Sequence, residues 1–274
     1  MSLDIINYCD KLAQKIRKDC LDMAYNSGRN GSHLGGGLST VEIFATLYGG
    51  VLNISREDPE WNERDRLIVS KGHCVLAYYS ALYETGFIKK DDIDLFEVNG
   101  SGLHGHATIN KKIGIEFSGG SLGLGLSYAV GVALAGKKRN LSYRVFVILG
   151  DGECDEGSNW EAAISAAHFK LDNLTVIIDK NNLQYDGKPS EIMNLGDIKS
   201  KFESFGFSTS VVNGHRINEL FNELNKVSTG IPRAIIAETI KGKGVSFMED
   251  KKEWHHSRLT KEQYDIAIAE QELS

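Results

Sequence analysis

Two almost uninterrupted apolar segments, residues 144–149 (RVFVIL) and 174–179 (LTVIID), constrain the fold of this chain most strongly. Continuous apolar runs are typical of strands that are buried on both faces, and such strands belong to parallel sheets that helices cover. The residues between the two runs predict a helix over 158–170. A strand, a helix and a second strand in this order predict one crossover unit of a parallel sheet.

The same alternation continues toward the C-terminus. Helices are predicted over 197–204 and 217–227, and strands over 207–212 and 233–238. These elements predict an α/β fold with a doubly wound, mainly parallel sheet and helices on both faces. A chain of 274 residues is long enough to bury roughly three quarters of its unfolded surface. We therefore expect a single domain over 1–274.

The N-terminal part predicts two helices separated by a glycine-rich segment. Apolar residues recur every three or four positions in the first helix, which is expected to end at 26–28. Residues 28–37 (GRNGSHLGGG) hold five glycines and one histidine, so we expect a loop whose backbone closely approaches another group. A second helix is expected over about 40–48.

Two further helices are indicated by other signals. Thr260 and Gln263 have the spacing of a capping box, which predicts a C-terminal helix over about 260–273. Glycines and alanines recur over 122–135 and suggest a helix that packs tightly against another backbone. That backbone can belong to a partner subunit or to the same domain.

Charge and composition limit the classes of partner. The chain has 31 Lys+Arg against 37 Asp+Glu, and this net charge of −6 gives no support to a nucleic-acid-binding surface. Asp4 and Asp10 interrupt the first residues, which therefore do not resemble a secretory signal. No apolar run approaches the roughly 20 residues that cross a bilayer. Four widely spaced cysteines predict reduced thiols. We expect a cytoplasmic protein that binds neither nucleic acid nor membrane.

Polar residues follow the two apolar strands directly. Asp151 and Gly152 follow the first strand, and Asn181 follows the second. Ligands of open parallel sheets bind beyond the carboxyl ends of the strands, so these turns can face one crevice. A carboxylate, an amide oxygen and a main-chain carbonyl are too few ligands for a hard cation alone, but they suit Mg²⁺ that also binds a diphosphate and water. By spacing alone, a turn with a solvated aspartate is an equally good interpretation.

Five blocks of the sequence resemble the thiamine-diphosphate-binding domain of transketolases. They stand in the family's order and cover nearly the whole chain: SHLGGGLSTVEIFATLY, DRLIVSKGHCVLAYYSAL, GLHGHATINKKIGIEFSGGSLGLGLSYAVGVALA, GDGECDEGSNWEAAISAAHFKLDNLTVIIDKNNLQYDG and TIKGKGVSFMEDKKEWHH. The chain is similar to the two-chain type, in which this N-terminal domain is a separate polypeptide. The resemblance implies the thiamine-diphosphate-binding fold, with thiamine diphosphate and Mg²⁺ (or Ca²⁺ or Mn²⁺) as cofactors.

The resemblance also implies which residues hold these cofactors. Asp151 and Asn181 would ligate the metal through their side chains, and Leu183 through its carbonyl. Gly152 would cradle the diphosphate, and Lys241 would lie near it, although a solvated surface lysine is an equal alternative at that position. Glu156 matches a family carboxylate at the subunit interface and is therefore a further candidate for catalysis and cofactor contact. A capping carboxylate at a helix start would have the same pattern.

One segment corresponds to the part of the family that contacts the pyrimidine end of the cofactor: Gly120, Ser121 and Leu122. The sequence there is SGGSLGLG, whereas the family commonly has STGSLGQG. Gly119 and Leu124 therefore depart from the family pattern. Glu161 is a second carboxylate that matches the family's subunit interface.

Four of the eight histidines fall on motif positions of the family: His33, His73, His106 and His255. The resemblance implies that His33, His106 and His255 line the substrate channel, and that His73 and His255 reach the diphosphate. Imidazole exchanges protons near neutral pH, as the hydroxyl and carbonyl groups of a sugar require. Structural roles are expected for the other four: His104, His168, His215 and His256. His104 and His256 stand beside motif histidines, so a small error in register would exchange their roles.

The implied reaction moves a two-carbon ketol unit from a ketose phosphate to an aldose phosphate. In the family, the cofactor is activated by a glutamate from the pyrimidine-binding domain of a partner subunit, and this chain ends before any such domain. We therefore expect a catalytically incomplete transketolase subunit that works with a C-terminal partner, in a heterotetramer of two chains of each kind.

Three alternatives stay open. Another ketol transferase, or a deoxyxylulose-phosphate-type synthase, would share the glycine segment and His33. A non-catalytic cofactor-binding module would share the fold. A nicotinamide-binding enzyme is the weakest alternative, because the glycines over 120–125 have the wrong order and no clear strand before them.

Overall fold

Five parallel strands form a single sheet in the computed structural model of the chain, which describes residues 2–273. In chain order the strands are β1 Arg66–Val69, β2 Val145–Gly150, β3 Leu174–Lys180, β4 Ser208–Asn213 and β5 Arg233–Glu238. Their order across the sheet is β1-β2-β3-β5-β4, and each neighbouring pair is parallel. The carboxyl ends of all these strands therefore lie at the same end of the sheet.

The α-helices of the described residues surround this sheet. They are α1 Ser2–Asn26, α2 Leu34–Leu38, α3 Val41–Thr46, α4 Val75–Glu84, α5 Lys90–Asp94, α6 Gly125–Lys138, α7 Gly157–His168, α8 Pro189–Ile192, α9 Ile198–Ser204, α10 Ile217–Leu224 and α11 Lys261–Glu272. A π-helical turn spans Leu47–Val51, and short 3-10 turns span Gly28–Asn30, Gly72–Cys74, Lys111–Ile113, Gly152–Asp155 and Lys252–Trp254. Among residues 2–273, no helix combines the length and the apolar character that a bilayer crossing requires.

Helices cover both faces of the sheet. Alternate side chains of the central strands therefore enter two separate hydrophobic cores, one on each face. Phe146 and Ile148 belong to the core that is built with α1, α3, α4 and α10. Val147 and Leu149 belong to the core that is built with α6, α7 and α9. All four side chains are buried. The predicted doubly wound α/β fold is confirmed, and the observed sheet is parallel throughout.

The predicted strands agree with the structure to within one residue at each end. The predicted capping box is also present, since Thr260 Oγ1 accepts the Gln263 amide proton at 3.2 Å and Gln263 Oε1 accepts that of Thr260 at 3.0 Å. The helix that this box starts packs against α1. The small residues over 125–135 lie in α6 as predicted, whereas Gly123 precedes this helix with a left-handed φ of 80°. A Cβ on Gly136, one residue beyond the predicted range, would meet the Tyr143 ring at 2.7 Å.

The prediction of a loop over 28–37 is wrong in its second half. Residues Leu34–Leu38 form α2 and are buried. A Cβ on Gly36 would lie 2.6 Å from His73 Cδ2, and a Cβ on Gly35 would lie 2.9 Å from Lys241 Cγ. The glycines therefore allow a short buried helix to lie directly against two candidate site residues, and this close packing outweighs their poor helix propensity.

Candidate functional site

The carboxyl ends of β2 and β3 lie side by side, and one carboxylate joins the turns that follow them. Gly150 is paired with Asp179 in the sheet. Beyond this pair, Asp151 Oδ1 accepts the Gly152 amide proton at 2.9 Å, and Asp151 Oδ2 accepts the Asn182 amide proton at 2.6 Å. Asp151 is only 5% exposed. The two turns, residues 150–152 and 181–183, are called the ligand turns below.

The other two candidate metal ligands lie in the second ligand turn. Asn182 has a left-handed φ of 59°, which asparagine tolerates better than most residues. Asn181 Oδ1 accepts the Leu183 amide proton at 3.1 Å, and Asn181 Nδ2 donates to Asp179 Oδ2 at 3.0 Å. The Leu183 carbonyl accepts a hydrogen bond from Lys241 Nζ at 2.8 Å. Both oxygens keep acceptor capacity beyond these bonds.

This donor set fits a hard divalent cation that is shared with an anionic group. Within residues 2–273, no three His, Cys, Asp or Glu side chains come together as a metal site. A cation at the ligand turns would therefore also need the oxygens of Asn181 and Leu183. Burial, and then the neighbouring Asp179, raises the pKa of Asp151 to about 6, and a bound cation would relieve this cost of ionisation. Three protein oxygens leave the rest of an octahedral shell to phosphate and water.

A buried ion pair lies directly behind the ligand turns, and the sequence pattern gave no sign of it. Lys71 and Asp179 are 1% and 0% exposed, and Lys71 Nζ donates to Asp179 Oδ2. Lys71 also donates to Ser39 Oγ and to the Gly36 carbonyl, each at 3.2 Å, while Asp179 accepts from Ser39 Oγ at 2.7 Å and from Thr239 Oγ1. Burial would raise the pKa of Asp179, but Lys71 and the donated hydrogen bonds outweigh burial and hold that pKa below its usual range.

A cavity of about 270 Å³ brings many of the predicted residues together. Its wall includes His73, Leu122, Asp151, Gly152, Asn181, Leu183 and His255. Larger cavities of about 720 and 600 Å³ lie elsewhere, and the second of these also includes Asp151 in its wall. A Cβ on Gly152 would lie 2.8 Å from Gln184 Cβ, so glycine is needed there for close contact between the ligand turns as well as for any phosphate.

The segment predicted to contact the pyrimidine packs against the turn that carries His73. A Cβ on Gly72 would lie 2.8 Å from the Gly120 nitrogen, and a Cβ on Gly119 would lie 2.9 Å from Gly72 Cα. The departure from the family's threonine at Gly119 therefore has a steric reason. Gly120 and Ser121 are exposed, and Leu122 is 38% exposed at the cavity wall.

Glu156 is exposed at the N-cap of α7, outside the cavity wall. This is the helix start that the capping alternative requires, although the Glu156 side chain makes no capping hydrogen bond. A Cβ on Gly123 would lie 2.7 Å from Glu156 Cβ, which places the glutamate beside the segment of Leu122. Glu161 is exposed on the same helix. The roles of both carboxylates stay predictions.

Five imidazoles, two of which line the cavity, gather close together, and they are called the histidine cluster below. The His33 ring centroid lies 5.9 Å from that of His73, 5.1 Å from His106, 5.7 Å from His255 and 4.6 Å from His256. The His73 and His255 centroids are 4.8 Å apart. The structure thus brings the four motif histidines together and adds His256, for which a structural role was expected.

A short antiparallel bridge holds two distant parts of the chain together at this cluster. The Ser32 amide donates to the Ser257 carbonyl at 2.9 Å, and the Ser257 amide donates to the Ser32 carbonyl at 3.0 Å. A Cβ on Gly31 would lie 3.0 Å from the same Ser257 carbonyl. The main chain beside His33 and the main chain beside His256 are therefore fixed to each other directly.

The buried imidazoles are neutral at physiological pH. Burial lowers the pKa of both His33 and His255 to about 3, and it lowers the pKa values of His73 and His106 as well. Neutral rings have one donor and one acceptor nitrogen each, which suits the hydroxyl groups of a sugar. Burial lowers the pKa of Lys241 to about 8, and Lys241 Nζ lies 2.8 Å from His255 Nδ1. The equal alternative of a solvated Lys241 is wrong, because this residue is 1% exposed.

The other histidines lie outside the cluster. His104 is exposed, and its carbonyl accepts a hydrogen bond from Tyr79 at 3.0 Å. His168 is exposed at the end of α7. His215 is partly buried and contacts Glu42.

Comparison with known proteins agrees with this architecture. A family model described as "Transketolase, thiamine diphosphate binding domain" matches residues 9–273. The chain is 40% identical over 262 residues to one of the subunits of apulose-4-phosphate transketolase from Actinobacillus succinogenes, with 95% of each chain covered. It is also 40% identical over 242 residues to a 6-deoxy-6-sulfo-D-fructose transketolase subunit of Clostridium sp., with 88% of each chain covered.

Solved structures show the same fold. Transketolase from Leishmania mexicana superposes with a TM-score of 0.89 at 28% identity, over 96% of this chain and 41% of the other. Transketolase from Campylobacter jejuni superposes with a TM-score of 0.86 at 29% identity, over 99% of this chain and 43% of the other. This chain therefore spans about two fifths of the length of those solved chains.

The fold and the oxygen-rich turns at its strand ends define the class as an α/β cofactor-binding domain. The chain belongs to the transketolase family and corresponds to its thiamine-diphosphate-binding domain. The predicted resemblance to the two-chain type is confirmed, since relatives matched over nearly their whole length are named as single subunits of transketolases. The family assignment supports a transferase in general, and the naming of those relatives as subunits implies that each has a partner.

Proposed function

We propose that this chain is the cofactor-binding subunit of a two-chain transketolase, which transfers a two-carbon ketol unit from a ketose phosphate to an aldose phosphate. The observation that carries the proposal is the shared cavity: the ligand turns form one side of it, and His73 and His255 of the histidine cluster form another. One side suits a cation with a diphosphate, and the other suits a sugar. A cytoplasmic location and a heterotetramer of two chains of each kind belong to the same proposal.

In this proposal the ligand turns hold Mg²⁺, or Ca²⁺ or Mn²⁺ in its place. Asp151 and Asn181 contribute side-chain oxygens, and Leu183 contributes its carbonyl. Lys241 already donates a hydrogen bond to that carbonyl, so its ammonium group lies within reach of an anion bound beside it. The Gly152 amide, His73 and His255 complete the diphosphate side. Thiamine diphosphate, when bound, supplies the carbon nucleophile that carries the two-carbon unit between sugars.

The histidine cluster then serves the substrate. His33, His106 and His255 donate and accept hydrogen bonds at the sugar's hydroxyl and carbonyl oxygens. Their neutral state leaves each ring one donor and one acceptor nitrogen for these oxygens. Gly120, Ser121 and Leu122 form the surface for the pyrimidine end of the cofactor. Glu156 lies beside this surface, in the position proposed to face the partner subunit.

The experiment that tests the proposal compares the chain alone with the chain plus its companion C-terminal subunit. Each sample receives thiamine diphosphate, Mg²⁺, a ketose phosphate donor and an aldose phosphate acceptor. We expect transfer only when both subunits are present. Robust turnover by the isolated chain would refute the two-chain proposal. Cofactor binding without turnover by the pair, over a broad set of donors, would favour a non-catalytic binding module.

The same reconstituted pair identifies the substrates. The relatives from Actinobacillus succinogenes and Clostridium sp. are named for apulose 4-phosphate and for 6-deoxy-6-sulfo-D-fructose, so the donor panel should include branched and sulfonated sugars beside pentose phosphates. Pyruvate belongs in the panel as well. Product formed from pyruvate, with none from a ketose donor, would favour the deoxyxylulose-phosphate-type alternative.

A further inference from the structure

We propose that His215 is a positioning residue for the cofactor site: it fixes the main chain that presents Lys241 to the cavity. The inference rests on the proposed role of Lys241 at the diphosphate. His215 lines the separate cavity of about 720 Å³ and does not belong to the wall of the cofactor cavity. Its action on the site is therefore indirect.

The ring of His215 connects a buried carboxylate to one main-chain amide. His215 Nδ1 lies 2.8 Å from Glu42 Oε2, and His215 Nε2 accepts the amide proton of Ile240 at 2.8 Å. Because Nε2 accepts a proton from an amide, the ring must carry its own proton on Nδ1 and donate it to Glu42. The hydrogen bonds therefore define a neutral ring with one tautomer.

The carboxylate behind His215 is itself fixed. Arg17 and Glu42 are 8% and 9% exposed, and Arg17 donates to Glu42 Oε1. Burial opposes ionisation of Glu42, but Arg17 and His215 outweigh it and hold the pKa of this carboxyl below its usual range. Arg17 also donates to the Lys243 carbonyl at 2.5 Å. The Arg17–Glu42–His215 group thus binds the main chain on both sides of Lys241.

Successive residues of this segment hold parts of the cofactor site. Thr239 donates to Asp179, the buried carboxylate behind the ligand turns. Ile240 donates to His215, and Lys241 donates to the Leu183 carbonyl. A displacement of the Ile240 amide would therefore move the neighbouring lysine away from the second ligand turn.

The turn that carries His215 is also held against this segment. The Gly214 amide donates to the Glu238 carbonyl at 2.8 Å, and a Cβ on Gly214 would lie 2.4 Å from Thr239 Cγ2. The His215 amide donates to Asn213 Oδ1 at 2.9 Å. Glycine at 214 is thus required for the approach that brings the imidazole to Ile240.

Two substitutions of His215 distinguish the role of Nε2 from the role of Nδ1. His215→Gln can place an acceptor near the position of Nε2, whereas His215→Asn reaches only the position of Nδ1. We expect the Ile240 amide of the cofactor-free chain to exchange with solvent about tenfold faster in His215→Asn, because this partly buried amide loses its acceptor. We expect the dissociation constant for thiamine diphosphate with Mg²⁺ to rise by a similar factor of about ten. His215→Gln should stay within about twofold of the wild type in both measurements.

His168→Asn is the matched control, because His168 is exposed and outside both cavities. Equal behaviour of His215→Gln and His215→Asn would overturn the proposal, and so would faster Ile240 exchange without any change in cofactor affinity. Should His215→Asn fail to fold, the nitrogen-15 spectrum of the wild-type imidazole decides, because a proton on Nε2 would exclude the bond from Ile240. The exchange measurement needs no cofactor, so its failure is distinct from a failure of the proposed function.

Discussion

The ligand turns and two members of the histidine cluster, His73 and His255, line the same cavity, but the turns and the cluster are assembled in different ways. The ligand turns follow two strands that pair in the sheet, and the side-chain oxygens of Asp151 and Asn181 accept main-chain amide protons of the second turn. The histidine cluster comes from segments that are far apart in the chain and meet only in the completed fold. The ligand turns should therefore depend chiefly on their two strands and on the few segments that contact them, whereas the cluster depends on the packing of several distant segments.

The largest effect is expected for Asp151→Asn. This substitution removes the one carboxylate of the ligand turns, so Mg²⁺-dependent binding of thiamine diphosphate should fall below detection in calorimetry. In the cofactor-free protein the substitution should remove the loss of stability that accompanies ionisation of Asp151, because burial raises the pKa of this carboxyl from 3.8 to about 6. Ionisation of such a group weakens the folded state as pH rises from about 4 through about 6, by roughly 2–3 kcal/mol at most.

Asp91→Asn, at an exposed position of α5, is the control for that experiment. It should change neither cofactor binding nor the pH dependence of unfolding. Unchanged cofactor affinity in Asp151→Asn would exclude the ligand turns as the metal site. An unchanged pH dependence of unfolding between about pH 4 and pH 6 in the same variant would contradict the expected cost of the buried charge.

The second effect concerns the ion pair behind the ligand turns. Lys71→Met leaves Asp179 buried without its cation, and breaking a buried pair in this way costs about 3–5 kcal/mol. Lys199→Met removes a solvent-exposed pair with Glu203 and should cost less than about 1 kcal/mol. Urea unfolding of both variants measures the difference. Similar costs for the two substitutions would show that the Lys71 pair does not support the ligand turns.

The third effect tests whether the histidine cluster acts on the substrate alone. His33→Asn should lower kcat/KM of the reconstituted pair by about a hundredfold, because a positioned imidazole contributes roughly that factor to proton transfer. The dissociation constant for thiamine diphosphate should stay unchanged. His104→Asn is the matched control, since His104 lies in an exposed loop. Loss of cofactor affinity in His33→Asn would show that the histidine cluster does not act on the substrate alone.

The smallest effect is expected for the pH dependence of cofactor affinity, which we assign to Lys241. Burial lowers its pKa to about 8, so this lysine loses its positive charge as pH rises through that value. Affinity for thiamine diphosphate in the presence of Mg²⁺ should therefore fall about tenfold between pH 7 and pH 9. Lys241→Met should abolish this dependence and bind weakly at both pH values. A pH dependence that persists in Lys241→Met would assign it to another group.

The local parts of this molecule could be predicted from its sequence. The runs that form β2 and β3 are apolar because both faces of each strand are buried, and the polar residues after them mark the strand ends. The helix start at Thr260 is recognisable for a similar reason, since a capping box is complete within four residues. These features need only short-range information.

The parts that depend on distant contacts could not be predicted in this way. Strand β1 has only four residues, so its pattern is too short to recognise. The buried helix α2 contains three consecutive glycines, and only the contacts with His73 and Lys241 explain its conformation. The pairing of Lys71 with Asp179 joins residues that no spacing rule connects. His256 joins the cluster for the same reason, because its position depends on the bridge at Ser257.

That bridge makes one part of the site depend on both ends of the chain. Ser32 lies early in the chain and Ser257 lies late, so the bridge encloses most of the chain in one loop. The complete histidine cluster therefore cannot form in a chain that lacks the segment around residue 257, whereas the late segment contributes to the ligand turns through residues 239–241.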